Sequence, residues 1–333
     1  MRYAALALQA TCDAVNQDNS REDAHARIDR TITRVQKQIG ASKGFIKGFN
    51  GYDLKLVVLP EYWMTGFPLQ ETREAWQDKA ALPLEGAIPD RLKSVAQTLG
   101  VYLCSNHYEL DPHFPELYFQ ANVVYAPNGD EILRYRRMIS LFTPSPYDVW
   151  DKYLDVHGED AIFPVANTDI GVLGSIASEE ILYPEIARMH AFKGAEILLH
   201  PTSEVGAPTL TPKHICKKAR AIENIAYVVS ANSGRIEGNA LPAASTDSMS
   251  TVLDSYGRTL AEALPGETMN ANAVLDIEAL RDTRKKTGMT NTLSRLPIDA
   301  FKPGYSRANH APANRSPNGA MIDKATTINQ QQA

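Results

Sequence analysis

The sequence predicts an α/β fold, and three observations carry that prediction. Apolar, β-branched runs of about six residues alternate with longer amphipathic stretches, as strands interleaved with helices do. Proline opens two of the amphipathic stretches and glycine closes one, as at helix ends. The chain has 333 residues and 44% apolar composition, enough for a substantial core, and its length fits one large α/β domain as well as two small ones. No break in composition marks a boundary between two domains.

Taken in order, the strands are expected at Ala4 to Ala10, Lys55 to Leu59, Val101 to Asn106, Asn122 to Tyr125, Gly171 to Ala177, Glu196 to Leu199, Tyr227 to Ala231 and Thr251 to Asp254. Helices are expected at Ser20 to Ile39, Pro89 to Leu99, Pro184 to Phe192 and Pro212 to Ile225. Proline opens the last two, where its missing N–H has no partner inside the helix to lose. Gly194 closes the third. Ile215, Ala219, Ile222 and Ala226 form one stripe of the fourth helix, a pattern that normally packs on a sheet or on another subunit. From about Ala308 the chain is rich in Asn, Gln, Ala and Pro, with little to bury, and reads as an arm or a disordered segment.

The charge and the rarer residues exclude several classes of function. A formal net charge of −5, with Arg284-Lys285-Lys286 as the longest basic run, argues against a nucleic-acid partner, which needs clustered cations to neutralise phosphates. No stretch approaches the roughly 20 apolar residues of a spanning helix, so no membrane partner is expected. The opening run Tyr3-Ala-Ala-Leu-Ala-Leu-Gln reads as a first strand rather than a signal peptide. Cys12, Cys104 and Cys216 are odd in number and widely spaced, which points to a reducing cytoplasm and no disulfide framework. The eight histidines show no metal-ligand spacing, so neither a metal nor another cofactor is expected.

Three segments carry the chemistry. The first is Leu56-Val-Val-Leu-Pro60-Glu61-Tyr-Trp-Met-Thr-Gly66-Phe-Pro68, a strand ending on a carboxylate followed by aromatics and a turn. The second is Asn122-Val-Val-Tyr-Ala-Pro-Asn-Gly129-Asp-Glu-Ile-Leu-Arg-Tyr135-Arg136-Arg137, a hairpin running into cations. The third is Gly174-Ser-Ile-Ala-Ser178-Glu-Glu-Ile-Leu-Tyr-Pro184-Glu185, which sets Ser178 between an apolar strand and a helix start, where nucleophiles and backbone donors are exposed. Taken alone, each residue has a plain alternative: Ser178 in a loop, Glu61 as a cap or surface carboxylate, Arg137 facing solvent.

In this order the segments resemble the three catalytic segments of the nitrilase superfamily of carbon-nitrogen hydrolases, nearer its amidase branch than its nitrile branch. Ala219-Arg-Ala-Ile-Glu-Asn224 and Ser250-Thr-Val-Leu-Asp-Ser-Tyr-Gly257 are similar to further family segments, and the likeness runs from about residue 3 to about residue 305. The resemblance implies a four-layer α-β-β-α sandwich over residues 1–305, with 306–333 as a C-terminal extension. It also implies a homodimer or larger homo-oligomer built through the helices after the lysine and nucleophile segments. Glu61 falls on the position of the family's general base, Arg137 on that of its lysine and Ser178 on that of its cysteine. Two of the three identities therefore depart from the family.

Amide hydrolysis needs a nucleophile, a group that takes its proton, and donors for the oxyanion. A serine hydroxyl depends on an adjacent base far more than a thiol does, and Glu61 is the candidate. Guanidinium cannot shuttle protons, but it offers a rigid fork of donors for an oxyanion or a substrate carboxylate. Tyr62, Trp63 and Tyr183 are candidates for an apolar pocket wall, Glu179 for an oxyanion-hole N–H, and His200 and Ser203 for the rim beyond the strand Glu196 to Leu199. Glu180 matches an acidic family position that orients the loop. Asp148, Asp151 and Glu159 are candidates for the family's second glutamate. The expected function is hydrolysis of a small-molecule amide or a related C–N bond. Two alternatives stand beside it: a nitrilase fold without turnover that binds a ligand or a partner, and a cysteine enzyme trapped by serine.

Overall fold

The computed structural model describes residues 1–140, 143–308 and 311–316. The strands of the first half are β1 (Arg2–Ala7), β2 (Thr11–Asp13), β3 (Leu54–Val58), β4 (Ala81–Pro83), β5 (Tyr102–Leu110), β6 (Phe119–Tyr125) and β7 (Glu131–Arg136). Those of the second half are β8 (Ala166–Thr168), β9 (Gly171–Ser175), β10 (Ile197–Pro201), β11 (Tyr227–Ala231), β12 (Arg235–Glu237), β13 (Thr251–Leu253), β14 (Thr259–Glu262) and β15 (Asn272–Asp276). The helices are α1 (Arg21–Asn50), α2 (Arg73–Ala80), α3 (Ala87–Leu99), α4 (Trp150–His157), α5 (Pro184–Phe192), α6 (Pro212–Asn224), α7 (Ile277–Lys285) and α8 (Ile298–Arg307).

Two sheets result. One runs β15-β1-β3-β5-β6-β7, with β4 also on β5, and the other runs β14-β13-β11-β10-β9-β8. The parallel centres, β1-β3-β5 and β9-β10-β11, point their strand ends at a common region. The period of two along each strand divides its side chains between faces. Ala5, Ala7, Leu56, Val58, Cys104 and Val124 of the first sheet meet Leu173, Ile197, Leu199 and Val229 of the second in one core. On the other face of the first sheet, Leu6, Val57, Leu103 and Val123 pack on Ile28, Ile32, Val35 and Ile39 of α1 and Leu92 and Val95 of α3. This is the four-layer α-β-β-α sandwich that the sequence implies. Among the described residues, no helix is long and apolar enough to cross a membrane.

The departures have local causes. Helix α1 runs past Ile39 to Asn50 because its buried stripe continues through Ser42 and Ile46, and it stops where Gly51 turns left-handed (φ 79°) and returns its N–H to the Lys47 carbonyl. Strand β5 continues to Leu110 because β6 begins earlier than its apolar run and pairs with it along its length, from Leu103–Tyr125 to Glu109–Phe119. Of the two partners expected for the apolar stripe of α6, the sheet does not take its isoleucines. Its buried face is Lys217, Arg220, Ala221 and Asn224, whereas Ile215 and Ile222 of the apolar stripe are exposed. Arg220 explains part of this, since its guanidinium donates to the carbonyls of Ile181 and Leu182.

At the C-terminal end, α8 crosses residue 305, and Tyr305 donates to Glu185 of α5. Asn314 and Ser316 then bond through their backbone N–H groups to Tyr147 and Asp148, and Arg315 pairs with the Asp148 carboxylate at 2.6 Å. The remainder of the extension, expected as an arm or disordered, lies outside the described residues. Cys12 and Cys104 are buried free thiols and Cys216 is a partly exposed one.

Candidate active site

Glu61 lies three residues beyond β3, 1% exposed, at one end of a buried polar chain. Gln120 of β6 donates to Glu61 Oε1 at 2.9 Å and to Asn106 Oδ1 at 3.2 Å. Asn106 donates to Asn122 (2.8 Å), Asn122 to Ser175 Oγ (2.8 Å), and Ser175 to the Leu199 carbonyl (3.2 Å). The chain thus passes from the first sheet into the second. Among the described residues, Glu61 Oε2 is buried without a hydrogen bond of ordinary geometry. The next residue, Tyr62, is left-handed (φ 56°), which turns the chain off the strand at Glu61. Burial, and after it the Glu61 charge, pushes the Tyr62 phenol well above its ordinary range.

Arg137 immediately follows β7 and is also buried. Its Nη1 donates to Gln120 Oε1 (2.7 Å) and to Glu61 Oε1 (3.1 Å), its Nε to the Ile139 carbonyl (2.8 Å), and its Nη2 to the Glu179 carboxylate. Burial opposes the guanidinium charge, but Tyr62, Glu61, Glu179 and Glu180 outweigh it and hold the proton more tightly than usual. Arg137 is therefore a fixed cation joining the first segment to the third.

Ser178 opens the turn after β9, 4% exposed and left-handed at φ 50°. A side chain in that region costs about 1–2 kcal/mol relative to the right-handed one, so the surroundings must hold it there. Glu180 is one such holder: it accepts from the N–H groups of Met138 (2.7 Å), Ile139 (2.9 Å) and Ala177 (3.0 Å) and from the Tyr135 hydroxyl (2.8 Å). Burial pushes its carboxyl up to about 7, against the pull of Arg137 and these hydrogen bonds. His200 is another. Its Nε2 lies 2.8 Å from the Ser178 carbonyl, which can only accept, so Nε2 carries the proton and Nδ1 accepts from Ser230 Oγ at 2.8 Å. Burial, and after it Lys217, holds His200 neutral, with its pKa down at about 3. Gly174 lets β9 approach α5, because a Cβ there would stand 3.0 Å from the Cβ atoms of both Ala195 and His190.

The hydrogen-bond partner of Ser178 Oγ is one the sequence motifs did not single out: Lys213 Nζ, at 3.4 Å. Lys213 sits in the first turn of α6, behind Pro212 at the first helical position. Its ammonium lies 3.7 Å from Glu204, and Lys217 lies 3.2 Å from the other Glu204 oxygen. Burial alone would raise the Glu204 carboxyl, but Lys217 and Lys213 overcome it and hold it down at about 2. One sequence signal was available, since a lysine in a first helical turn opposes the helix dipole.

The other candidates divide. Glu179 pairs with Arg137, and Tyr183 ends the nucleophile turn at 42% exposure. Ser203 is half-buried in the loop after β10. Trp63, expected on a pocket wall, is instead part of the core between the first sheet and α1, with its Nε1 donating to Ser105. His200, expected on the rim, is fully buried beneath Ser178. None of the expected substitutes for a second glutamate reaches the site. Asp148 caps its own turn and binds Arg315, and Asp151 and Glu159 are exposed. Among the described residues, two groups have metal-ligand character, Asp111-His113-His157 and Glu204-His214-Asp247. Arg136 already bonds Asp111 at 2.7 Å in the first, and the lysines pair with Glu204 in the second, so each holds a protein cation.

Comparison with known proteins shows the family and the fold. A nitrilase of Pyrococcus abyssi is 29% identical over 211 residues, covering 63% of this chain and 73% of that protein. The omega-amidase NIT2 of Xenopus tropicalis is 25% identical over 236 residues, covering 70% and 80%. The crystal structure of a carbon-nitrogen hydrolase from Helicobacter pylori superposes with a TM-score of 0.69 over 93% of this chain and 100% of that one, at 22% identity, a likeness of fold. The sequence model of carbon-nitrogen hydrolases matches residues 24–285. With its sandwich fold and its three segments gathered at the strand ends, the chain belongs to the carbon-nitrogen hydrolase family.

Proposed function

We propose that the protein hydrolyses a small amide or a related non-peptide C–N bond, with Ser178 as nucleophile, Glu61 as its base and Arg137 as the fixed charge of the site. One observation carries this reading: Arg137 joins Glu61, buried beside the Tyr62 phenol, to Glu179, the neighbour of Ser178. A buried carboxylate held in this way can accept a proton from a hydroxyl. Arg137 cannot release a proton, so its part is electrostatic: it attracts negative charge forming on substrate oxygen. The backbone N–H of Glu179 is the further oxyanion donor. The same reading takes the enzyme as a cytoplasmic homodimer or larger assembly that works without metal or cofactor, with Tyr62, Tyr183 and Ser203 against the substrate.

A second reading, a nitrilase fold that binds a ligand or partner without turnover, draws support from Arg137, whose guanidinium is engaged by Glu61, Gln120, Glu179 and the Ile139 carbonyl. The test is ammonia release from small aliphatic, acidic and carbamoyl amides by the parent, Ser178→Ala and Ser178→Cys. Activity that vanishes with alanine supports the serine hydrolase. Silence rescued by cysteine identifies a disabled cysteine enzyme, and silence in all three favours the binding protein.

A further inference from the structure

The departing nitrogen of an amide must receive a proton before the C–N bond can break. In a site whose lysine position is held by Arg137, nothing at that position can supply the proton, since guanidinium does not give one up. Lys213 can. Its Nζ stands 3.4 Å from Ser178 Oγ, nearer than the 3.7 Å to its ion-pair partner Glu204, and its side chain is only 16% exposed. It arrives from α6, outside all three motif segments.

The position is built rather than incidental. Glu204 is fully buried as a side chain and accepts from the Thr202 and Thr211 hydroxyls, each at 3.1 Å, while its N–H donates to Asn232 at 2.9 Å. Thr211 is the residue before α6, so the bond from its hydroxyl to Glu204 ties the start of the helix to the carboxylate that faces Lys213. Pro212 then sets the direction of the first turn. A surface lysine that merely covered the site would need none of this.

We propose that Lys213 is a catalytic residue, the proton donor to the leaving nitrogen, and that it replaces from a different element the lysine lost at position 137. The assignment rests on the hydrolase reading above. In acylation, Ser178 Oγ bonds to the carbonyl carbon, the Oγ proton passes to Glu61, and the C=O π pair moves onto oxygen beside Arg137. As that pair returns, the C–N bond breaks with its electrons on nitrogen, which takes a proton from the Lys213 ammonium and leaves as ammonia or an amine. Lys213 is then a neutral amine next to the ester. In deacylation, water attacks the ester carbon and gives its proton to Lys213, restoring the ammonium. The C–Oγ bond breaks, and Oγ takes back the proton held by Glu61. The sum is amide plus water to acid plus amine, with the protein unchanged.

The experiment sets leaving groups against each other in the full chain, with propionamide and p-nitrophenyl propionate as probes and the parent, Ser178→Ala, Lys213→Met and Lys213→Arg as proteins. Nitrophenolate leaves without a proton, so the ester burst reports the nucleophile alone. Both Lys213 variants should lose about 10²–10⁴-fold in ammonia release while the burst changes by less than about threefold. Lys213→Arg keeps the charge beside Glu204 and decides the matter if the methionine variant does not fold. Undiminished ammonia release by Lys213→Arg overturns the proposal. So does an equal loss of burst and ammonia release in both variants, which would make Lys213 a structural ion-pair partner. A parent that is propionylated on Ser178 by the ester but releases no ammonia overturns the role of Lys213 and leaves the nucleophile standing. A parent that is never propionylated brings down the hydrolase reading itself, and the Lys213 assignment with it.

Discussion

Replacing Glu204 by Gln keeps the shape of the side chain and removes the charge that two lysines share. The carboxylate lies 3.2 Å from Lys217 and 3.7 Å from Lys213, with Lys217 only 1% exposed. Burial raises the Glu204 pKa, and the two ammonium groups more than reverse this, taking it from 4.5 to about 2. A fall of that size corresponds to about 3 kcal/mol in favour of the folded state. Because the folded pKa is depressed, this stability is present above 4.5 and is lost as pH falls through about 2. Gln cannot titrate, and it leaves Lys217 as a buried cation without a counter-charge, a situation that costs about 3–5 kcal/mol. Urea denaturation of the parent and Glu204→Gln, followed from neutral pH into acid, measures both quantities. The gap should be about 3 kcal/mol at neutral pH and shrink toward nothing as the parent carboxylate takes up its proton. A gap below about 1 kcal/mol at neutral pH, or one that persists undiminished in acid, refutes the reasoning.

Other substitutions probe the nucleophile turn and the outer face of α6. Glu180→Ala strips acceptors from the N–H groups of Ala177, Met138 and Ile139 and from the Tyr135 hydroxyl, at about 1–3 kcal/mol for each group left unpaired. A thermal melt within a degree or two of the parent's would contradict that. Gly174→Ala forces a methyl to within 3.0 Å of Ala195 and His190 and should cost about 1–3 kcal/mol by chemical denaturation, whereas an unchanged midpoint would show that α5 yields freely. If the assembly forms through the exposed Ile215 and Ile222, changing both to Ser lowers the mass seen by light scattering while the melting temperature holds. An unchanged mass would move the interface elsewhere.

The layers were legible because the central strands β1, β3, β5, β6, β9, β10, β11 and β13 announce themselves by apolar runs, whereas short or polar strands such as β2, β8, β12 and β14 do not, and because α5 and α6 open on proline and so carry their start in the sequence. Glu61, Arg137 and Ser178 were singled out by the resemblance of their segments to those of the family, and the fold brings Arg137 against both Glu61 and Glu179, the neighbour of Ser178. Lys213 was not, because its neighbours His214 and Ile215 read as ordinary helix, and only folding carries the start of α6 across to the turn after β9. The polar inward face of α6 was illegible on the same ground. Periodicity marks the apolar side of a helix, but here Lys217, Arg220 and Asn224 point inward because they have partners there: the Glu204 carboxylate and the carbonyls of Ile181, Leu182 and Arg220. Trp63 shows the converse error, an aromatic beside a motif whose indole is held in the core by Ser105.

The polar chain from Glu61 through Gln120, Asn106, Asn122 and Ser175 to Leu199 acts as a dowel through the two sheets. Apolar side chains meeting across a sandwich are indifferent to small slides, because dispersion and desolvation have no preferred direction. Hydrogen bonds are not indifferent. Sliding one sheet past the other by a single residue would orphan the buried Asn122 amide, whose bond to Ser175 is the link of this chain that crosses between the sheets, at about 1–3 kcal/mol. The alignment of the sheets is thereby pinned, and with it the offset between the loop after β3 and the turn after β9. Substitutions at the far members of this dowel, Asn122 and Ser175, should therefore be felt as a shift of the loop carrying Glu61 against the turn carrying Ser178.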